Sequence, residues 1–161
     1  SDCLIVRGVR GICAMTKQMI SNGREMIEKI HEETIDGRKV IITHHKLICD
    51  KSEKPYYTLL EWYCGYVQIL NKDNIYPSVS DHAREGGKND PDVDFSSAPI
   101  TYAGYFPQRL WDKNMDYFVG FSTNHYQTKD YDSEDVLRIC KNVIKEQGKI
   151  NKQAFGLLTN L

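Results

Sequence analysis

The chain lacks the short motifs that identify the commonest catalytic folds. The phosphate-binding GxxxxGK[ST] loop, the dinucleotide-binding GxGxxG turn, the zinc-protease HExxH helix and the esterase GxSxG elbow are all absent from its 161 residues. Strand and helix patterns also fail to alternate as they do in doubly wound nucleotide-binding folds. These absences argue against the usual NTPases, dehydrogenases, zinc proteases and α/β-hydrolases.

Long apolar runs and net charge are missing as well. No stretch approaches the roughly 18 apolar residues of a membrane span, and no secretory signal pattern opens the chain. Twenty-one basic and 22 acidic side chains leave a formal net charge of -1, which gives no field to attract nucleic acid polymers or anionic membranes. We therefore expect one soluble, cytoplasmic domain over residues 1–161 that contacts neither membrane nor nucleic acid polymer.

The cysteine count is odd and the spacings are wide. No CxxC pair occurs, which argues against a disulfide framework and against a zinc site. We expect reduced, mostly buried thiols and no metal or other cofactor. The five cysteines are Cys3, Cys13, Cys49, Cys64 and Cys140.

Two segments have the periodicity of helices. Asn22 and Glu25 resemble a capping box, and the apolar residues that follow predict a helix over about 23–34 that stops at Asp36-Gly37.

The second helix begins at Asp132 or Ser133, with acidic residues in its first turn, and has Gly148 as a plausible C-cap. Residues 149–161 are expected to pack as a short extra element or to fray.

Four runs read as strands, and the segments between them as connections. They are 39–48, 56–70 (one strand, or two broken near Gly65), 99–105 and 116–122. The sequence thus predicts an α+β fold, with an antiparallel sheet of about four strands covered by two helices. Residues 1–20 are expected to be irregular. Residues 71–97 are polar and predict a long loop that could cover a pocket.

Histidines supply the few candidate catalytic groups. His44 and His45 are neighbours on a predicted strand, so they point to opposite faces and one is expected to face solvent. His125 follows a strand and precedes Asp130. If the protein is an enzyme, His125 is the candidate general base or acid, and Asp130 orients it. The alternative is a loop histidine beside acids that cap the next helix.

Aromatic residues are concentrated in the middle of the chain, and most of them must be core. Tyrosine is also favoured in pockets where one end of the ring stays wet. Rings beside Arg84 and Arg109 could stack on a base while the guanidinium groups bind phosphate. The candidate ligand-binding residues are Tyr66, Arg84, Tyr102, Arg109 and His125. The aromatic surplus also favours a homodimer or higher homo-oligomer.

Three segments resemble a poorly characterised family of small phage and prophage proteins. That family has a tryptophan followed by GYV, an HGG(I/L)TY-like strand, a GFDxxHxxD segment and a C-terminal helix. This chain has EWYCGYVQI at 61–69, APITYAG at 98–104 and DYFVGFSTNHYQTKD at 116–130. It departs from the pattern at 97–99, where Ser-Ala-Pro replaces His-Gly-Gly, and at Ser122, which replaces the aspartate.

The resemblance implies a phage or mobile-element origin and a setting in the host cytoplasm. Small phage proteins often counter host defence, and some sequester nucleotide immune signals. We therefore expect a binding protein that sequesters a cyclic dinucleotide or a cyclic ADP-ribose isomer. The alternatives are a phosphodiesterase or other hydrolase acting on such a nucleotide, and a protein–protein inhibitor of a host factor.

Overall fold

The computed structural model describes residues 18–21, 25–50, 57–125 and 127–159. Residues 1–17 of the segment 1–20 predicted to be irregular lie outside these residues, as do the thiols of Cys3 and Cys13, and the Cys49 thiol lies outside the described side chains. Residues 18–20 contradict the prediction, because they belong to the first strand. Within the described residues, Cys64 and Cys140 are free, buried thiols. Burial raises the pKa of Cys64 to about 11 and that of Cys140 to about 12, so neither is a nucleophile near neutral pH.

The predicted α+β class is confirmed, although the sheet is larger than expected. Seven strands pair antiparallel in the order β1-β2-β3-β4-β9-β8-β5, and β6 and β7 form a separate two-stranded pair. The strands are β1 Gln18–Ser21, β2 Glu25–Ile35, β3 Arg38–Asp50, β4 Tyr57–Ile69, β5 Lys88–Asn89, β6 Asp94–Phe95, β7 Ala98–Pro99, β8 Tyr102–Tyr105 and β9 Tyr117–Ser122. β4 runs through Gly65 without a break.

The helix predicted over 23–34 is wrong, because this segment is β2. Ile27 pairs with His45 and Glu28 with His44, so consecutive side chains go to opposite faces of the sheet. Met26 and Ile30 are four residues apart, a spacing that places two residues on one side of either a helix or a strand. Asp36-Gly37 is the hairpin turn rather than a helix stop, with φ of 50° and 78° as a two-residue turn with two positive φ values requires.

Residues 71–97 are not one long loop. They contain helix α1 (Tyr76–Arg84), with Pro77 in its first turn, and the short strands β5 and β6. α1 buries Val79 and Ala83 against the sheet. The described residues therefore contain two helices, α1 and α2, and only the second coincides with a predicted one.

The C-terminal helix α2 (Ser133–Thr159) begins where the sequence predicts. The Asp135 amide donates to Asp132 Oδ1 at 3.0 Å, and the Asp132 amide donates to Asp135 Oδ2 at 3.0 Å, which is a reciprocal cap. Gly148 is not its C-cap, because the helix continues through it and takes in most of the predicted tail. Gln147 and Asn151 hold this extension by hydrogen bonds to Asn74 and Asp73.

The two helices cover one face of the sheet, as predicted. The core of this helix-covered face contains Val40, Ile42, Val67, Val119 and Phe121, together with Val79 of α1 and Val136, Cys140, Val143 and Ile144 of α2. The second face holds a smaller aromatic core of Ile41, Cys64, Tyr66, Phe106 and Phe118, with Trp62, Tyr102 and Trp111 packed against it. Neither helix in the described part of the chain is both long and apolar enough to span a bilayer.

Candidate functional site

Three half-buried tyrosines lie side by side between α1 and the ends of β8 and β9. Tyr105 pairs directly with Tyr117 across the two strands, and their ring centroids are 5.5 Å apart. Tyr76, at the first position of α1, contacts Tyr117 with a centroid distance of 5.2 Å. We call Tyr76, Tyr105 and Tyr117 the tyrosine cluster. The three side chains remain partly exposed.

A cavity of about 490 Å³ adjoins the cluster at this end of the sheet. Its size lies within the range of small-molecule sites. Tyr76 and Tyr117 form part of its wall, and the remaining wall comes from the end of β4 and the start of β9. The other lining residues are Gln68, Ile69, Leu70, Asn71, Lys72, Met115 and Asp116. We call it the end cavity.

Lys39 fixes two polar side chains of this wall. Its backbone amide donates to Gln68 Oε1 at 2.9 Å, and its ammonium donates to Asp116 Oδ2 at 3.1 Å. The same ammonium donates to Asp112 Oδ1 at 2.7 Å, and Asp112 is buried. Burial lowers the pKa of Lys39, but the hydrogen bonds from its ammonium to Asp112 and Asp116 outweigh that effect, and the pKa is raised. Lys39 therefore stays charged and holds the wall in one arrangement.

Asp73 shapes the turn that closes another side of the cavity. Its carboxylate accepts hydrogen bonds from Arg38 and from the Leu70 amide, and its carbonyl accepts one from the Tyr76 amide. Asn151 of α2 also donates to it, at 2.9 Å. The turn that carries Leu70 and leads into Tyr76 is thus tied to β3 and to α2, which makes this part of the wall rigid.

Two of the five predicted ligand-binding residues flank the tyrosine cluster. Arg109 lies over the Tyr105 ring, 5.0 Å from its centroid. Arg84 donates to Ser80 Oγ at 3.1 Å, and Ser80 donates to the Tyr117 hydroxyl at 3.2 Å. Arg84 also pairs with Asp81 in the open, where both side chains are 67% exposed. Both guanidinium groups are therefore placed at the margin of the cluster and accessible to an anion.

The other three predicted residues lie elsewhere. Tyr66 is buried in the core of the second face, with its ring 4.8 Å from Phe106 and 6.4 Å from Tyr102. Burial raises the pKa of Tyr66 well above its usual value, and burial also raises that of Tyr102 although Arg109 opposes the shift. Both rings belong to the aromatic core of the second face, and the Tyr102 hydroxyl donates to the Tyr105 carbonyl. Tyr66 closely approaches Gly120, where an added Cβ would lie 2.8 Å from its ring.

His125 and Asp130, the predicted general base and its orienting partner, are not joined in the described part of the chain. Both are exposed in the connection between β9 and α2. The His125 amide donates to the Thr123 carbonyl, and its own carbonyl accepts from Thr128. Among the contacts of the described residues, no hydrogen bond or ion pair joins the two side chains. This arrangement matches the alternative of a loop histidine ahead of a helix cap.

His44 and His45 do point to opposite faces, but neither faces solvent as expected. Their side chains are 14% and 7% exposed, because His44 stacks on Tyr63 and His45 on Trp62. His45 Nε2 lies 2.8 Å from Thr43 Oγ1 and its Nδ1 lies 3.6 Å from Glu25. Burial lowers the pKa of His45, against a raising effect of Glu25.

Metal binding finds no support in the described residues. They contain no group of three or more His, Cys, Asp and Glu side chains placed to hold an ion.

The sequence analysis did not predict the end cavity or its polar lining residues Gln68 and Asp116. Lys39 and Asp116 are 77 positions apart, so no local pattern reveals their contact. One signal was available: Asp116 precedes a strand and Gln68 ends one, and antiparallel pairing brings such ends together.

Comparison with known proteins adds no identification. No protein-family model, no curated protein and no solved structure matches the chain.

Proposed function

We propose that this protein binds a nucleotide, that is, a small anionic ligand with an aromatic ring, and that it sequesters the ligand rather than transforming it. The observation that carries the proposal is the tyrosine cluster beside the end cavity, with Arg84 and Arg109 at its margin. Tyrosine faces suit a base, and guanidinium groups suit phosphate. His125 and Asp130, the expected general base and its partner, are unconnected and exposed.

The ligand class follows the resemblance to small phage proteins. A nucleotide immune signal, either a cyclic dinucleotide or a cyclic ADP-ribose isomer, combines ring faces with two phosphate groups. Arg84 would exchange Asp81 for phosphate, and Arg109 would use the guanidinium edge that its stacking on Tyr105 leaves open. An anti-defence role in a host cytoplasm is part of this proposal.

Isothermal titration with a panel of these nucleotides tests binding. We expect at least one Kd below about 10 μM, which corresponds to roughly 7 kcal/mol. Arg109→Ala should weaken that Kd about tenfold or more. Arg138→Ala is the matched control, because Arg138 is 61% exposed on α2 and should leave the Kd unchanged. Failure of every nucleotide, or equal loss in both variants, contradicts the proposal.

Recovery of the ligand separates sequestration from hydrolysis. After incubation and heat denaturation, we expect the nucleotide to return intact by chromatography. Cleaved products would favour the hydrolase alternative, and loss of those products in His125→Ala would assign the general base. A protein–protein inhibitor would bind none of the nucleotides, and pull-down from host lysate would test it.

We also propose that the protein is a homodimer. Phe155 and Leu157 are 68% and 71% exposed near the end of α2, and such apolar groups favour an interface. Light scattering at micromolar concentration should give twice the chain mass. A mass near 18.6 kDa would refute the dimer.

A further inference from the structure

Gln68 and Asp116 are two polar side chains in the wall of the end cavity, and Lys39 fixes the orientation of both. We call them the two readers, because they would recognise the hydrogen-bonding edge of a ligand. Lys39 donates its backbone N–H to Gln68 Oε1 and its ammonium to Asp116 Oδ2. Because the Gln68 oxygen is occupied by the backbone, the group that this side chain retains for a ligand is its NH₂, a donor. Asp116 retains Oδ1 and the remaining lone pairs of a carboxylate, which only accepts.

The two readers together favour a nucleobase with a particular pattern of donors and acceptors along one edge. A carboxylate accepts two parallel hydrogen bonds best from two adjacent donors, and an amide NH₂ that lines the same cavity needs an acceptor. Guanine presents two donors, N1–H and the exocyclic N2–H, next to the O6 acceptor. Adenine presents an unprotonated N1 beside a single amino group, so its N1 lone pair would face the Asp116 carboxylate.

The aromatic part of the cavity wall can contact the ring faces of such a base. Tyr76 and Tyr117 line the same cavity as Asp116 and are partly exposed, so a purine bound by its edge can contact their rings. Lys72 also lines the cavity and is exposed, which places a cation near one margin.

We propose that the end cavity selects guanine, with Asp116 accepting from N1–H and N2–H and Gln68 donating to O6. The proposal rests on nucleotide binding at the tyrosine cluster and names the base that this site would take. The Lys39 ammonium is shared between Asp116 and the buried Asp112, so it offsets only one of the two carboxylate charges. Asp116 is therefore not fully neutralised.

Titration of the unaltered protein with 5′-GMP, 5′-IMP and 5′-AMP tests the base directly. IMP differs from GMP only by the missing exocyclic amine. We expect GMP to bind about tenfold or more tightly than IMP, because IMP gives the Asp116 carboxylate one hydrogen bond instead of two. We expect AMP to bind more weakly than IMP, because its N1 has no hydrogen to donate to that carboxylate. Equal Kd values for GMP and AMP would overturn the guanine assignment while leaving nucleotide binding intact. Failure of all three, and of the wider nucleotide panel, would instead remove the proposed function.

Asp116→Asn provides the second test. The amide offers a donor where the carboxylate accepted, so the variant should lose its preference for GMP and gain affinity for xanthosine 5′-monophosphate, whose carbonyl replaces the N2 amine. Asp92→Asn is the matched control, because Asp92 is exposed away from the cavity lining and should keep the wild-type order. An unchanged order of ligands in Asp116→Asn contradicts the role of Asp116.

Discussion

Arg38 and Asp73 form a bidentate ion pair that is almost completely removed from solvent. The side chains are 4% and 0% exposed, and Arg38 Nη2 lies 2.7 Å from Asp73 Oδ1. Asp73 also accepts from Asn151 and from the Leu70 amide. This single carboxylate joins the start of β3, the turn before α1 and the extension of α2.

Asp73→Asn should destabilise the fold strongly, because it leaves the Arg38 charge buried without its counter-ion. Removing one partner of a buried pair costs about 3–5 kcal/mol. Asp81→Asn breaks the exposed pair with Arg84 and should cost less than about 1 kcal/mol. Urea unfolding followed by circular dichroism measures both. Equal losses in the two variants would show that the buried pair has no special role.

Gly65 and Gly148 should respond in opposite directions to alanine. A Cβ at Gly65 would lie 2.5 Å from the Phe121 ring and 2.8 Å from Val136, whereas nothing lies within 4 Å at Gly148. We expect Gly65→Ala to cost about 1–3 kcal/mol through overpacking. Gly148→Ala, inside α2, should raise the free energy of unfolding by up to about 1 kcal/mol. Thermal unfolding of both variants decides, and a stabilised Gly65→Ala would contradict the close approach of α2 to β4.

His45 should make stability fall as the solution becomes moderately acidic. Burial lowers its pKa in the folded state, so the unfolded chain takes up the proton first, at its usual pKa of about 6.5. The stability is therefore fully present above that pH and declines as pH falls through it. Urea titrations between pH 7.5 and 5 should show a steeper decline for wild type than for His45→Gln. His125→Gln, which alters an exposed loop side chain, should retain the wild-type slope.

The reciprocal cap at the start of α2 should be measurable on its own. Asp132→Ala removes the acceptor for the Asp135 amide, and loss of an N-cap costs about 1 kcal/mol. Asp130→Ala, two residues earlier in the exposed turn, is the control and should change the free energy of unfolding much less. A similar loss for both would point to net charge rather than to the cap.

The central strands β3 and β4 and the start of α2 were the most predictable parts of the fold. The β-branched residues of β3 and the aromatic residues of β4 predict strands from local sequence alone, and the acidic residues at the start of α2 predict its N-terminus in the same way. β2 resembles a helix in its sequence because its same-side apolar spacing of four residues fits either structure, and because Asp36-Gly37 can signal a helix end as well as a hairpin turn. α2 passes through Gly148 because Gln147 and Asn151 hydrogen-bond to the turn before α1. A tertiary contact of this kind has no signal in the local sequence.

The candidate site was predictable only in part. The sequence predicts that Arg84 and Arg109 lie beside aromatic rings. Arg109 lies over the Tyr105 ring, whereas Arg84 is linked to the Tyr117 hydroxyl only through Ser80. The pairing partner of each ring depends on strand order, and the insertion of β9 between β4 and β8 was not apparent from the sequence. That insertion brings Asp116 to Lys39 and completes the cavity.

The position of β9 also has a consequence for how the chain folds. β1 to β4 pair in sequence order, so these contacts close short loops, whereas β9 must find β4 across the whole of α1 and β5 to β8. We expect the first four strands to form an early nucleus and β9 to dock late. Pulsed hydrogen exchange would then protect the amides of β3 before those of β9. The candidate site, which needs Lys39 of β3 and the residues at the start of β9, would be assembled only in the last step of folding.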